Sequence, residues 1–318
     1  MSPSKPKTDQ KRTPRTTRTK SPPRFDLTAR DVELVRVVLV YRFLSTHQFW
    51  WLFPDASEKN LTNRLRLLFQ HGYLKRLKLP VSSSRDSMIY AMTEKGAKLI
   101  AETDNIERSD VKWKRYINDV QPTHVQHLLA VNDILITFRN DFEAAKDSGK
   151  LADYRVLRGD PKKHRLTVQV MDKRGHRQDV SVIPDAIVLL QPAESQHGVF
   201  FVEVDRGTMS TKQWTEKVAV YRDYIQSNKL LADWRSQWAI LLAVTPSEKR
   251  LMSIAQKTVA AGGKRGFWFT TADSIAPGTV LESIWTRGID LFHLRNEETS
   301  PVSSYANAER TDLLEALR

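Results

Sequence analysis

The chain has 318 residues, enough for one large domain or two smaller ones with some tail to spare. It contains 50 lysines and arginines against 37 aspartates and glutamates, and the resulting formal charge of +13 favours a polyanionic partner, nucleic acid before an anionic membrane surface. The lack of cysteine excludes disulfides, thiolate zinc sites and cysteine nucleophiles, and it favours a cytoplasmic protein. No apolar run approaches the roughly 18 residues of a membrane span, and we expect no secretory signal.

Residues 1–24 consist almost entirely of Ser, Thr, Pro, Lys and Arg. Their eight basic residues and one aspartate give +7, so more than half of the net charge lies in this segment. A segment with so few apolar side chains cannot offset the entropy lost on ordering, and it is predicted to be disordered. We interpret it as a basic arm that contacts phosphates; the alternative is a solubilising tail.

Residues 25–102 form the first predicted folded unit, which opens with three helices. Asp26 or Thr28 is placed to cap the first helix, and Ser45 begins a short second one. Ser57 caps the third. Each of these residues can accept a hydrogen bond from a free backbone N–H in the first turn of its helix.

The third helix, predicted over residues 58–71, is the candidate recognition helix. Leu61, Leu65 and Leu68 form a single buried stripe along it. The opposite face suits a major groove, because arginine can pair bidentately with guanine and asparagine or glutamine with adenine. The predicted DNA-binding residues of this helix are Lys59, Asn60, Asn63, Arg64 and Gln70.

Alternating residues then predict a hairpin of two strands, residues 73–79 and 88–92, followed by a helix over residues 94–102. Arg85, in the polar turn of residues 81–87, is predicted to reach phosphate or the minor groove. Three helices, a hairpin and a further helix resemble the winged helix-turn-helix module of many small regulators. The resemblance implies DNA contact; the alternative is a winged helix that serves only protein partners.

A polar linker, residues 103–122, leads to the second predicted unit, residues 123–294. Its pattern reads helix, three or four strands, helix, strand, helix, strand, with one of the strands over residues 182–190. Strands with crossover helices predict a mixed sheet between helices, so the fold class is α/β, or α+β overall. Residues 295–318 are predicted to be a C-terminal tail or helix.

Three carboxylates fall on the predicted sheet of this unit: Asp185, Glu203 and Asp205. Glu203 and Asp205 share a face because they are two residues apart on a strand. Burying carboxylates in an apolar sheet costs free energy unless a nearby positive charge compensates for their charge. A divalent cation with oxygen ligands would do so; the alternative is a buried ion-pair network with Arg206 and Lys217.

Here the sequence resembles the PD-(D/E)XK nuclease superfamily. Pro184 and Asp185 match the "PD", and Glu203 matches the acid of "(D/E)XK", but Asp205 stands where the lysine is expected. In that superfamily the acids bind magnesium and the lysine helps to activate water. The resemblance implies a metal site with Mg²⁺ at Asp185, Glu203 and Asp205, and a catalytic set that adds Lys217 and Tyr221 on the following helix.

Taken together, the winged helix and the stretches HLLAVND, IPDAIVLL, VFFVEVDRGT and KVAVYRDYI resemble the replication-relaxation family of plasmids and integrative elements. This resemblance covers roughly residues 28–245. It implies a double-stranded-DNA-binding protein that acts in replication, DNA relaxation or transfer. The alternatives are a magnesium-dependent endonuclease and a non-catalytic adaptor that docks a relaxase or replication initiator. A homodimer is compatible with each, and no membrane partner is expected.

Overall fold

The computed structural model describes residues 16–78, 88–171, 175–193, 197–297 and 308–317. The chain forms two compact units, and the boundary between them in sequence lies between Asn132 and Asp133. The predicted mixed α/β class is confirmed, because helices accompany a six-stranded mixed sheet. Within the described ranges, no helix is both long and apolar enough to cross a membrane.

The first unit combines helices with a three-stranded antiparallel sheet. Its helices are α1 (Ala29–Tyr41), α2 (Thr46–Leu52), α3 (Glu58–Gln70), α4 (Glu94–Asp104) and the first part of α5 (Pro122–Asp147). Its strands are β1 (Phe43–Ser45), β2 (Leu74–Leu77) and β3 (Ile89–Met92), in the order β1-β3-β2. The predicted turn of residues 81–87, with Arg85, lies outside the described residues.

Hydroxyl side chains set the start of each of the first four helices. Thr28, Ser45, Ser57 and Thr93 each accept a hydrogen bond from a backbone N–H in the first turn of the helix that follows. Thr28 and Ser45 complete capping boxes with the third residue of their helices. The cap positions predicted from the sequence are therefore confirmed, with Thr28 rather than Asp26 at α1.

The core of the first unit lies between α1, α3 and the sheet. The predicted stripe on α3 is buried, with Leu61, Leu65 and Leu68 all at most 2% exposed. Gly72 turns the chain from α3 into β2 with a φ of 83°, a left-handed conformation that a side chain would strain. Helix α3 is thereby anchored along one face, while its other face is left to solvent.

The second unit is built on the six-stranded sheet. Its further helices are α6 (Thr211–Ile225), α7 (Asn228–Trp234), α8 (Glu248–Ala260) and α9 (Gly288–Glu297). Its strands are β4 (Leu151–Arg158), β5 (Leu166–Met171), β6 (Arg177–Val182), β7 (Ala186–Pro192), β8 (Gly198–Val204), β9 (Ala239–Thr245), β10 (Phe267–Thr271) and β11 (Thr286–Arg287).

The sheet order is β11-β10-β9-β8-β7-β4, while β5 and β6 pair only with each other. Strands β8, β9 and β10 are parallel to one another, whereas the pairs β4–β7, β7–β8 and β10–β11 are antiparallel. Every residue of β8 and of β9 is buried, which explains why both strands are almost entirely apolar, with Glu203 and Thr245 as the polar exceptions. Helices α6 and α8 pack on this sheet through Trp214, Tyr221 and Leu251.

The prediction of a single strand over residues 182–190 is wrong. Strand β6 ends at Val182 and β7 begins at Ala186, so Asp185 lies between two strands that belong to different sheets. Pro184 has no N–H to donate to a ladder, which favours a break at this point. Asp185 nevertheless joins β8, because its backbone N–H donates to the carbonyl oxygen of Val202 at 3.0 Å.

Candidate functional site

The exposed face of α3 carries most of the DNA-binding residues predicted from the sequence. Lys59, Asn60 and Asn63 are exposed. Residues 59, 63, 66 and 70 follow one another at helical spacing, so their side chains lie along one face. The guanidinium of Arg66 donates to Oδ1 of Asn63 at 2.9 Å. Sequence reasoning missed Arg66, although its position three residues after Asn63 was a usable signal.

Arg64, also predicted to bind DNA, has partners within the fold. Its Nε donates to Oδ1 of Asp31 at 2.8 Å, its Nη2 donates to the other carboxylate oxygen, and its guanidinium lies 4.6 Å from the ring centre of Phe25. Asp31 is fully buried. Burial opposes ionisation of Asp31, but hydrogen bonds from Arg64 and Thr28 outweigh it and hold the pKa below its usual value. The Arg64 side chain therefore fastens α3 to α1.

The end of α3 is covered by the N-terminal segment. The sequence predicts residues 1–24 to be disordered, yet their described part, residues 16–24, makes defined contacts. Oε1 of Gln70 accepts from the backbone N–H of Thr19 at 2.8 Å. Arg18 donates to the carbonyl oxygen of Phe69 at 2.7 Å, where a positive charge also complements the helix dipole. The basic N-terminal segment therefore contacts the C-terminal end of α3.

The second candidate site is a buried carboxylate cluster at the end of β8. Glu203 is 2% exposed, and each of its oxygens has a partner on α6. The ammonium of Lys217 donates to Oε2 at 2.6 Å, and the hydroxyl of Tyr221 donates to Oε1 at 2.6 Å. Lys217 and Tyr221 are one turn apart on α6, as the sequence predicts. The structure thus brings Glu203, Lys217 and Tyr221 together.

Asp185 lies beside this cluster. Its Oδ2 accepts from the backbone N–H of Val204 at 2.8 Å, which ties the residue before β7 to the end of β8. Its negative charge raises the proton affinity of Glu203, Lys217 and Tyr221 alike. Asp185 and Glu203 therefore share one electrostatic environment.

Burial controls ionisation in the cluster. It raises the pKa of Glu203 to about 7, with the charge of Asp185 acting in the same direction and Lys217 against it. Burial lowers the pKa of Lys217, but the charges of Glu203 and Asp185 outweigh that effect and leave the pKa above its usual value. Both shifts favour the protonated forms, because one ammonium does not neutralise the neighbouring carboxylates. Burial also raises the pKa of Tyr221 well above its usual value.

Asp205 is held by a different partner. Nε of Arg250, on α8, donates to its Oδ2 at 2.5 Å, and the backbone N–H of Gly207 donates to Oδ1 at 3.1 Å. Arg250 is fixed in turn by the carbonyl oxygen of Met209 at 2.7 Å. Arg250 was missed by sequence reasoning, since no local pattern connects two residues 45 positions apart.

These donors do not fit a divalent metal. Both oxygens of Glu203 are engaged by an ammonium and a hydroxyl, and both oxygens of Asp205 are engaged by a guanidinium and an amide. Across the ranges that the structure describes, no three His, Cys, Asp or Glu side chains converge as metal ligands. The cations of Lys217 and Arg250 supply the compensating charge that a metal would otherwise provide.

An open groove of about 540 Å³ lies next to the cluster. Its walls come from β6 and from the first turns of α6, with Ser181, Gln213 and Lys217 among the lining residues. The Lys217 side chain is 28% exposed, whereas its partner Glu203 is almost completely covered. Solvent therefore reaches the cluster from the Lys217 side.

Together, these features define a mixed α/β protein with a polar helix face in one unit and an ion-paired acidic cluster in the other. The chain matches the replication-relaxation family over residues 36–233, which is more than half of its length, and it belongs to that family. Membership supports a role connected with the replication of a plasmid or other mobile element. No curated protein matches the chain significantly.

Proposed function

We propose that this chain is a double-stranded-DNA-binding protein that acts in the replication, relaxation or transfer of a plasmid or mobile element. In this proposal the first unit is a winged helix-turn-helix, and α3 enters the major groove. The observation that carries it is the polar face of α3, which bears Lys59, Asn60, Asn63 and Arg66, with a basic N-terminal segment bound at the C-terminal end of the helix.

The layout of the first unit supports this assignment. Helices α2 and α3 are joined by a short turn, and the antiparallel pair β2–β3 follows α3 directly. A helix held by a buried leucine stripe presents its opposite side rigidly, which base recognition requires. Asparagine side chains can bond adenine bidentately, and lysines and arginines reach guanine or phosphate. Arg64 is assigned to fastening the helix rather than to reading bases.

Selection of bound duplexes from a random library, with the full-length protein, tests the proposal. The wild type should enrich a defined motif. The double variant Asn60→Ala/Asn63→Ala should lose it while it still binds DNA at low salt, because each bidentate pair discriminates by about 1–3 kcal/mol. The matched control is Lys98→Ala/Glu102→Ala, at two exposed positions of α4. Enrichment of the same motif by the Asn60/Asn63 variant would remove α3 from recognition.

The second unit supports a relationship to PD-(D/E)XK nucleases. Without the β5–β6 pair and the short helix α7, its order is α5, β4, β7, β8, α6, β9, that is, α-β-β-β-α-β. Strands β4, β7 and β8 form an antiparallel meander, and β9 returns parallel to β8 after a helical crossover. Asp185 and Glu203 meet at the junction of β7 and β8, where the superfamily resemblance puts its acids.

We infer that this core serves as a scaffold rather than as an endonuclease. The support is the closed pairing of Glu203 with Lys217 and Tyr221, and of Asp205 with Arg250. Supercoiled, branched and single-stranded DNA should stay intact with Mg²⁺ or Mn²⁺ at concentrations where the protein binds them. Metal-dependent cutting that disappears in both Asp185→Ala and Glu203→Ala would establish the endonuclease instead.

A further inference from the structure

We propose that the second unit carries a DNA-contact surface of its own, which binds the phosphate backbone without reading base sequence. This surface, the basic hairpin, consists of β5, β6 and the loop of residues 158–165 that precedes them. The inference rests on the proposed function only in taking DNA as the partner. It adds a second place of contact, on a different unit from α3.

The basic hairpin is an insertion between β4 and β7, two neighbouring strands of the six-stranded sheet. Strand β4 pairs directly with β7, from Arg158 opposite Ala186 to Leu151 opposite Pro192. The chain between Arg158 and Ala186 leaves the six-stranded sheet, forms β5 and β6, and returns to it. Closing that sheet does not require these residues, so the charges that they carry are not explained by the packing of the sheet.

Most of the net positive charge outside the N-terminal tail lies in this stretch. Residues 158–182 contain seven lysines and arginines against three aspartates, a net charge of +4. All of residues 25–318 together carry only +6. The rest of residues 25–318 therefore carries a net charge of only +2, and the hairpin is a region whose charge matches a polyanion.

The structure presents the charges of the described part of this hairpin on a supported surface. Leu166, Val168 and Val182 are buried in the core cluster that contains α6, which fixes one face of the two strands. The register then directs the alternate pairs outward, Thr167 opposite Ser181 and Met171 opposite Arg177. A rigid, outward face loses little conformational entropy on binding.

Cations surround this outward face. Lys162, Lys163 and Arg177 are exposed, and in the described part of the chain their side chains form no ion pair. Arg165 donates to the hydroxyl of Ser181 at 3.1 Å, which holds its guanidinium against β6. Lys229, from α7, donates to the carbonyl oxygen of Thr167 at 2.8 Å and brings another cation to the edge of β5.

Asp160 stabilises the turn in the loop that precedes β5. Oδ1 of Asp160 accepts from the backbone N–H of Lys162 at 2.8 Å, and the carbonyl oxygen of Asp160 accepts from the N–H of Lys163 at 3.0 Å. These bonds order the loop backbone and leave both lysine side chains to solvent. Asp179 is the acid on the outward face, opposite Gln169.

Nucleic acid fits this surface better than a lipid bilayer. Stable binding to a membrane surface needs buried apolar area as well as charge, and Met171 is the large apolar side chain exposed here. Phosphate contacts need only cations at the right spacing. Such contacts position a protein on DNA and carry no sequence information directly, so we expect the basic hairpin to add affinity but not specificity.

The test compares full-length variants by their binding to a random-sequence duplex as salt is varied. The triple variant Lys162→Ala/Lys163→Ala/Arg177→Ala should bind about tenfold more weakly at low salt. The slope of log affinity against log salt should fall by up to about 3, because each phosphate contact contributes about 0.9. Lys249→Ala/Lys264→Ala/Arg265→Ala removes the same charge from exposed positions elsewhere in the second unit and should change the slope much less.

Equal slopes for the hairpin and control variants, with both as stable as the wild type, would overturn the inference. So would a loss of binding to vesicles with 30% phosphatidylserine while DNA binding stayed unchanged. The preference for a selected motif over random DNA should survive in the hairpin variant and fail only in the Asn60/Asn63 variant. A failure of the second surface is therefore distinguishable from a failure of α3 recognition.

Discussion

Arg64 shows how a residue type suited to DNA is used inside the fold. Its guanidinium is 29% exposed, but its carboxylate partner Asp31 is fully buried and also closes the capping box of α1. Removing one partner of a buried pair is costly because the other charge stays desolvated. The cost depends on which partner is removed. Arg64 can reach water if Asp31 is lost, whereas Asp31 stays buried if Arg64 is lost.

We therefore expect Arg64→Ala to destabilise the first unit by about 3–5 kcal/mol at pH 7. The pKa of Asp31 is depressed in the folded state, so the stability that the pair contributes is present above pH 4 and is lost as the pH falls further. Urea denaturation at pH 7 and at pH 3 measures both effects. Arg36→Ala is the control: its partner Asp104 is exposed, so the change should be much smaller. If Arg64→Ala exceeded Arg36→Ala in destabilisation by the same free energy at pH 3 as at pH 7, this account would be contradicted.

Glu203 gives a second prediction at the residue scale. Because its pKa is raised to about 7, the folded protein holds a proton that the unfolded chain releases above the usual value of 4.5. The contribution of Glu203 to the free energy of unfolding is fully present below pH 4.5. It declines by roughly 3 kcal/mol in total as the pH rises to about 7.

Glu203→Gln should remove this decline. Denaturation of the variant at pH 5 and pH 7.5 should show a smaller loss of unfolding free energy over that interval than the wild type shows. Glu216→Gln, an exposed position on α6, should keep the wild-type dependence. An identical pH dependence in the wild type and in Glu203→Gln would show that Glu203 is ionised throughout.

At the scale of elements, the start of the basic hairpin, directly after β4, requires a glycine. A Cβ on Gly159 would lie 1.8 Å from the carbonyl oxygen of Pro184, and backbone atoms cannot move away easily. The N–H of Gly159 also donates to the carbonyl oxygen of Asp185 at 3.0 Å. Gly159 thus allows β4 to end against the segment that positions the carboxylate cluster.

Gly159→Ala should destabilise the second unit by about 1–3 kcal/mol or more, the usual cost of overpacking. Gly266→Ala is the matched control, because a Cβ there would meet its neighbour, the carbonyl oxygen of Ala239, at 3.4 Å. Thermal and urea denaturation of the two variants provide the comparison. If both variants lose equally little stability, the close approach at Gly159 is not a constraint.

Local rules predicted most elements from the sequence. Capping hydroxyls fixed the starts of α1 to α4, and the leucine stripe of α3 identified its buried face. The break at Pro184 was missed because apolar residues continue on both sides of it, so periodicity shows no change there. Helix α7 was missed because seven residues give too little periodicity to detect.

At the scale of the whole molecule, the candidate sites were predictable only where their partners are close in sequence. Lys217 and Tyr221 share a helix face, so their meeting with Glu203 could be anticipated from one strand and the helix that follows it. The pairing of Asp205 with Arg250, and of Arg64 with Asp31, joins elements that are distant in sequence. Such pairs depend on tertiary packing, which no local pattern records.

Family membership and structure bear on different parts of the proposal. The match over residues 36–233 connects the chain with plasmid or mobile-element replication. The described side chains support the proposed DNA contacts and the scaffold role through a polar face on α3, a closed acidic cluster and a basic hairpin. Because both oxygens of Glu203 and of Asp205 already accept hydrogen bonds from the protein's own groups, the proposed scaffold role predicts binding rather than bond cleavage.

Contact between α3 and bases is the central claim, and the absence of cysteine makes it directly measurable. Asn63→Cys places a single thiol on the exposed face of α3, and Lys98→Cys places one on exposed α4 as a control. Each is mixed with the selected duplex carrying a thiol-tethered base. We predict a disulfide cross-link at position 63 and little at position 98; equal cross-linking at both, or cross-linking at position 98 alone, would contradict the account.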